Sequence, residues 1–233
     1  MTVSDSPRTR HIKDLLRELH RHGVRDRRLL LAIATVPRER FLPRELRERA
    51  WENRPLPIGA GQTISQPLIV GVMTQALQLD GDEHVLEIGT GSGYQAAILA
   101  KLAASVTTIE RDPALAQRAA ERLRRLGYRN VEVHVGDGSQ GWPARAPYDR
   151  IIVTAAARRL PPPLLEQLSD TEGARLVIPI GDSAHQRLYL FERHAGRLHR
   201  SDLGPVRFVP LVEGTAPHRE GTDSEAAGWP ATL

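Results

Sequence analysis

Cysteine is absent from the 233 residues, which removes a disulfide framework, a thiolate metal site and a cysteine nucleophile in one step. Aromatic residues make up only 4%, too few for a platform on which nucleic-acid bases stack. Lysine occurs only at positions 13 and 101, so nearly all positive charge is arginine. Long apolar runs are missing too. The stretch from Ile151 to Ala157 falls far short of the roughly 20 residues that span a bilayer, and the polar N-terminus from Met1 to Arg10 lacks the apolar core of a secretory signal. These absences predict a cytoplasmic protein with no membrane partner.

What is present is ordinary for a globular chain: 40% hydrophobic and 26% charged residues, in a length that suits one domain. The net charge of +4 and a pI of about 9.9 invite a nucleic-acid partner. The distribution argues against one. Arginine alternates with glutamate in Arg38-Glu39-Arg40 and from Arg44 to Arg49, the pattern of solvated helix faces rather than of a one-sided basic stripe.

Ile12, Leu15, Leu16 and Leu19 have the spacing of an amphipathic helix that Gly23 ends. A second helix runs from an Asp26 cap through Leu29, Leu30 and Ile33 to Pro37, and Arg44 to Trp51 reads as a third short one. Residues 53–67, with three prolines and two glycines among apolar residues, are expected to be an ordered loop. A strand and helix alternation follows: helix 67–79, strand 84–88, helix 94–102, strand 106–110, helix 113–126 and strand 131–135. Further strands are expected at 150–154, 175–180, 187–192 and about 206–211. This order predicts a doubly wound α/β fold, its mainly parallel sheet edged by antiparallel strands and preceded by a helical extension. The division expected is a helical and covering segment 1–66, a catalytic core 67–212 forming one domain with it, and a flexible tail 213–233.

The sharpest local signal is Glu87-Ile88-Gly89-Thr90-Gly91-Ser92-Gly93, a strand running into three glycines at alternate positions and then a helix. Glycine lets the backbone approach a ligand closely. Dinucleotide sites carry G-x-G-x-x-G instead, and a carboxylate at Glu87 suits a cationic ligand better than a polyanion. S-adenosylmethionine is such a ligand. Glu110 ends the next strand, placed to accept from ribose hydroxyls, and Asp137, before Gly138, is placed to accept from the adenine amino group. Because ligands lie at the carboxyl ends of parallel strands, the three carboxylates are expected to converge. Each taken alone is equally a cap or turn former.

The acceptor is narrowed by elimination. Cytosine C5 methylation needs a thiolate. Val153-Thr154-Ala155-Ala156-Ala157 stands after the fourth strand where many N-methyltransferases have an Asn/Asp-Pro-Pro-Tyr turn, and no metal-ligand spacing appears.

Val36-Pro37-Arg38-Glu39-Arg40-Phe41, Leu56-Pro57-Ile58-Gly59, Gln62-Thr63-Ile64-Ser65-Gln66-Pro67, the glycine turn, Gly136-Asp137-Gly138, Ala146-Pro147-Tyr148-Asp149 and Arg207-Phe208-Val209-Pro210-Leu211 together resemble the protein-L-isoaspartate O-methyltransferase family, from about Leu29 to Val212. The resemblance implies a Rossmann-like methyltransferase fold and methyl transfer from S-adenosylmethionine to the α-carboxylate of isoaspartyl residues in damaged proteins and peptides. It further implies a catalytic Ser65, whose other reading is an N-cap for the helix near Pro67. Cofactor contacts are implied at Thr63, Ile64, Glu87, Gly89, Thr90, Gly91, Gly93, Glu110, Arg111, Asp137 and Gly138. Substrate contacts are implied at Ile58, Ala155, Ala156, Val209, Pro210 and Leu211. No metal is implied. The expected partners are isoaspartyl peptides and proteins, not nucleic acid, and the chain is expected to be a monomer.

Overall fold

A computed structural model describes residues 6–214. Helix α1 (Pro7–Arg21) begins where the Ser6 hydroxyl accepts from the Thr9 amide, with Pro7 in the first turn, and buries Ile12, Leu15 and Leu19. Helix α2 (Arg27–Thr35) starts on the Asp26 carboxylate, which accepts from the amides of Arg28 and Leu29. The third expected helix is a 3-10 turn, Arg44–Arg49. It follows Pro43, has no side-chain cap and buries none of its residues, so nothing holds it in the longer α form.

The expected loop 53–67 contains a hairpin, β1 (Leu56–Gly59) and β2 (Gln62–Ile64). Its two-residue turn, Ala60 and Gly61, has positive φ at both positions, 51° and 68°, the twist that matches paired strands. Helix α3 (Pro67–Leu77) leads to the main sheet: β3 (His84–Ile88), α4 (Tyr94–Leu99), β4 (Ser105–Glu110), α5 (Pro113–Arg125), β5 (Val131–Val135), β6 (Arg150–Val153), α6 (Pro162–Glu166), β7 (Arg175–Gly181), β8 (Gln186–His194) and β9 (Arg197–Val206). The spatial order is β5-β4-β3-β6-β7-β8-β9. The first five strands in that order are parallel neighbours, while β7–β8 and β8–β9 pair antiparallel.

The expected final strand at 206–211 is displaced. The antiparallel edge is instead completed by β9, which turns back from β8 at Ala195 and Gly196, again both at positive φ. Residues 207–211 leave the sheet and cross toward Ala156, whose amide donates to Val209 O at 2.8 Å and whose carbonyl accepts from the Leu211 amide at 2.7 Å. The expected flexible tail, 213–233, lies outside the described residues after Gly214.

Alternation along the strands splits the core. Val85, Val106, Ile152 and Val177 pack with the buried faces of α1 to α4, while Leu86, Ile88, Ile151, Val153 and Leu176 pack on the opposite side with Tyr148, Leu164 and Leu168. The inner parallel strands β3, β4 and β6 are covered on both faces, as such strands require, while edge strand β5 leaves Glu132 and Val135 exposed. The chain runs β3, β4, β5 to one side and then returns to β6 on the other side of β3, which puts a topological switch between β3 and β6. A crevice opens at the carboxyl ends of strands at that point.

Candidate active site

A cavity of about 370 Å3 occupies that crevice. Its floor is the glycine turn. Gly89 has φ of 95°, and a Cβ there would fall 2.3 Å from Thr154 Oγ1. That hydroxyl is fixed at the end of β6 by donating to Ile88 O and Gly89 O at 3.0 and 2.8 Å. Gly138 is equally committed, since a Cβ would meet Ile88 Cγ2 at 2.3 Å. Only glycine at both positions lets the backbone beneath the crevice pack this closely against Thr154 and Ile88.

Glu110, at the end of β4, is 7% exposed and lines the cavity. One carboxylate oxygen accepts from the Gly91 amide at 2.8 Å and the other from the Asp112 amide at 3.1 Å. Each oxygen keeps a lone pair for a ligand hydroxyl. Glu110 therefore shapes the turn while facing the space above it.

Convergence of three carboxylates is not what the structure contains. Glu87 is fully buried and does not line the cavity. Its Oε2 accepts from Thr108 at 2.5 Å, Thr108 is in hydrogen-bond contact with Thr90 at 2.7 Å, and its Oε1 has no partner. Burial pushes its pKa up to about 8; the Thr108 hydrogen bond opposes this and the charge of Glu110 adds to it. The group is mostly a neutral acid at neutral pH, so in this arrangement it does not present charge to a cationic ligand.

Asp137 also lies outside the lining. It caps the 3-10 turn at 138–140 by accepting from the Ser139 amide and hydroxyl at 2.9 and 2.8 Å, and its second oxygen accepts from the Gly214 amide at 2.7 Å. Burial works to raise its pKa, but the Gly214 amide, both Ser139 bonds and the Arg111 charge together hold it below the usual carboxylate range. Arg111, which does line the cavity, donates to Gly214 O at 3.2 Å. These two side chains tie down the end of the segment whose Val209, Pro210, Leu211 and Val212 form one wall.

The facing wall comes from the hairpin. Thr63, Ile64 and Ser65 line the cavity together with Gly89, Thr90, Gly91, Gly138 and Ala155. Gly93, Ile58 and Ala156 stand behind the lining: Gly93 lies close to Leu123, with a Cβ at 3.2 Å from Leu123 Cδ1, and Ile58 approaches Gly91. The cap reading of Ser65 fails on geometry. Gln66 occupies the cap position of α3 without a side-chain bond, and the Leu68 amide is held by Asn53 Oδ1 at 3.0 Å. Among the described residues no hydrogen bond engages the Ser65 hydroxyl. Ser65 and Glu110 line the same cavity.

Arg38 is visible in the sequence only as part of a motif. It is completely buried and donates to three main-chain carbonyls, Ala50 O at 2.7 Å, Ser65 O at 3.0 Å and Arg54 O at 3.3 Å, with its guanidinium 5.0 Å above the Tyr94 ring. Burial lowers its pKa, opposed by Tyr94. It positions the main chain at Ser65 without touching the cavity. No residue-type signal distinguishes it from the other basic side chains, since a buried arginine is betrayed only by its partners. Thr154 and Asp112 also line the cavity unannounced; their positions just after β6 and β4 are the signal, given that such crevices collect strand ends.

The model of the protein-L-isoaspartate(D-aspartate) O-methyltransferase family matches residues 10–216. The chain belongs to this family. A protein-L-isoaspartate O-methyltransferase of Syntrophobacter fumaroxidans is 53% identical over 84% of this chain and 90% of its own length, and one of Dictyoglomus turgidum is 53% identical over 89% and 94%. Among solved structures, a protein-L-isoaspartate O-methyltransferase superposes with TM-score 0.76 at 30% identity, covering 85% of this chain and 65% of that longer one. Another, from Plasmodium falciparum and in complex with S-adenosyl-L-homocysteine, gives TM-score 0.73 at 25% identity over 86% and 97%.

Proposed function

We propose that the crevice binds S-adenosylmethionine across the glycine turn and presents it to the α-carboxylate of an isoaspartyl residue held between Ser65 and the 209–211 segment. The protein is an S-adenosylmethionine-dependent carboxyl O-methyltransferase, as its family is. When bound, S-adenosylmethionine supplies an electrophilic methyl group on a cationic sulfur, whose S–CH3 bond breaks as the new O–CH3 bond forms, with neutral S-adenosyl-L-homocysteine as the leaving group. The residues fit it: the cavity floor is bare backbone at Gly89 and Gly138, and Glu110 offers acceptor lone pairs for a pair of ribose hydroxyls. Gly91, Thr90, Thr63, Ile64 and Arg111 line the same space.

The observation that carries the reading is Ser65, which lines the cavity floored by that turn and whose hydroxyl has no hydrogen-bond partner among the described residues. No base is needed. An unperturbed α-carboxyl titrates at about pH 3.3–3.7 and is already ionised at neutral pH. Ser65 donates to one carboxylate oxygen and leaves the other directed at the methyl group, Ala155 leaves room beside it, and the walls exclude water, so positioning supplies the rate. The product methyl ester has a better leaving group than the acid and can close to a succinimide that reopens to aspartate. The main chain at Val209 to Leu211, bonded to Ala156 along one edge, offers its remaining groups to a peptide main chain, which accommodates damage in many sequences.

Segment 1–66 covers the core 67–212 in this reading, and the enzyme works as a cytoplasmic monomer on peptides and proteins, not on nucleic acid. No helix among the described residues is long and apolar enough to cross a membrane. The test is methyl transfer to paired peptides differing only in an isoaspartyl or a normal aspartyl linkage. Transfer to the first, little to the second, and indifference to chelator are expected, since no group of three metal-ligating side chains assembles among the described residues. Equal labelling of both peptides, or loss of transfer with chelator, would overturn the assignment.

A further inference from the structure

A second cavity, of about 300 Å3, shares Gly91, Ser92 and Leu115 with the first. Its lining includes the guanidinium-bearing side chains of Arg44, Arg47, Arg118 and Arg122 and no carboxylate. Two of these arginines come from the 3-10 turn and two from α5, so segments distant in sequence bring them together. None of the four forms an ion pair with a described residue, whereas arginines elsewhere, at 8, 49, 145, 175 and 193, pair with acids. Arg122 is fixed by donating to Ser92 O at 2.7 Å, and its guanidinium sits 5.9 Å from the centre of the Phe41 ring. Burial, and then the charges of Arg125, Arg118 and Arg47, pull its pKa below the ordinary value. Crowding like charges without a counter-charge is unfavourable, and an anion in the cleft relieves it.

We propose that this arginine-lined cleft is an anion subsite that takes an acidic side chain of the acceptor polypeptide, near the isoaspartyl residue in its sequence. The inference rests on the isoaspartyl reading above. It follows from the hairpin: residues 60–64 wall the first cavity, while Ile58 on the same hairpin borders the second. A peptide leaving the first cavity along β1 runs onto the arginines. A carboxylate there binds through several guanidinium groups at once, and a cluster of charges contributes where a lone exposed pair does not.

The experiment uses isoaspartyl peptides in which successive positions on either side carry Glu or Gln. With the native enzyme, Glu at one of these positions is expected to lower KM about fivefold at unchanged kcat, the size of a partly exposed charge contact. In an Arg47→Gln/Arg118→Gln variant the advantage disappears and the Gln peptide keeps its KM. An Arg10→Gln/Arg197→Gln control, with the same loss of charge outside the cleft, retains it. Glu never outperforming Gln, or equal loss in the control, would overturn the subsite. So would duplex DNA binding that the double variant abolishes while the peptides stay indistinguishable. Failure to methylate any peptide would instead overturn the isoaspartyl reading, and calorimetric binding of the same Glu and Gln peptides still decides the cleft.

Discussion

Ser65 is where two chemical roles for one hydroxyl separate once its surroundings are known. In sequence, a serine two residues before a helix-opening proline is both a cap and a site candidate. Asn53 takes the capping work from outside the local stretch, which no local pattern announces. Ser65→Ala is therefore expected to lower turnover by about one to two powers of ten, the loss of one hydrogen bond to a charged group. Its unfolding temperature should stay within error of the parent, where loss of a true cap would cost about 0.5–2 kcal/mol. Turnover at saturating substrates beside a thermal melt reads both. Glu87 goes the other way: its position at a strand end beside the turn is legible in the sequence, its direction is not, because alternation in a two-sided sheet sends it inward. Its folded pKa, about 8, lies above its ordinary value of 4.5. The folded chain thus keeps a proton that the unfolded chain releases between those values. Its contribution to stability is complete below pH 4.5, declines as pH rises toward 8 and is flat beyond. Denaturant titrations of the parent and of Glu87→Gln across about pH 5 to 9 should differ by that slope, the variant gaining on the parent as pH rises. Parallel curves would mean Glu87 is ionised in the folded protein.

The β1–β2 and β8–β9 hairpins turn on the same dipeptide, alanine followed by glycine, and neither of these turns is legible in the sequence. Turns that need positive φ at two successive positions are normally announced by Asn-Gly or Asp-Gly. Ala60 and Ala195 adopt φ of 51° without that help. With the second of these turns unmarked, the last strand is expected at residues 206–211, beyond where it forms. The longer elements are better marked. Caps at Asp26 and Asp112 and the first-turn prolines lie where the helices begin, and β3, β4 and β5 carry the branched residues and bounding turns expected of them. Alanine in the left-handed region costs about 1–2 kcal/mol, and asparagine recovers part of it through its own main-chain contacts. Ala195→Asn, at a residue outside the cavity lining, is expected to add about 0.5–1 kcal/mol and raise the melting temperature by about 2 °C. Methyl transfer should be unaffected. A fall in melting temperature would show that the β8–β9 turn has another shape.

The whole molecule is a mainly parallel sheet whose middle is readable from the sequence and whose enclosure is not. The succession of strands and helices, the mainly parallel pairing and the glycine turn follow from alternation and spacing, which are local, whereas the strand order and the switch point are set by pairings between distant segments. The walls depend on contacts between distant segments: Arg38 bonding to Ser65, Asp137 and Arg111 gripping Gly214, Ala156 pairing with Val209 and Leu211. Spacing along a chain carries no record of such pairings. The wall at 209–212 has a further consequence for how the protein comes into being. A ribosome emits the hairpin wall early, the floor next, and this last wall only after β9. Until that final stretch emerges, the nascent chain can assemble its sheet yet holds an open trough in place of a chamber. Competence to retain a small molecule is thus acquired only once residues 209–212 have emerged, and a product cut short just before Val209 would lack that wall.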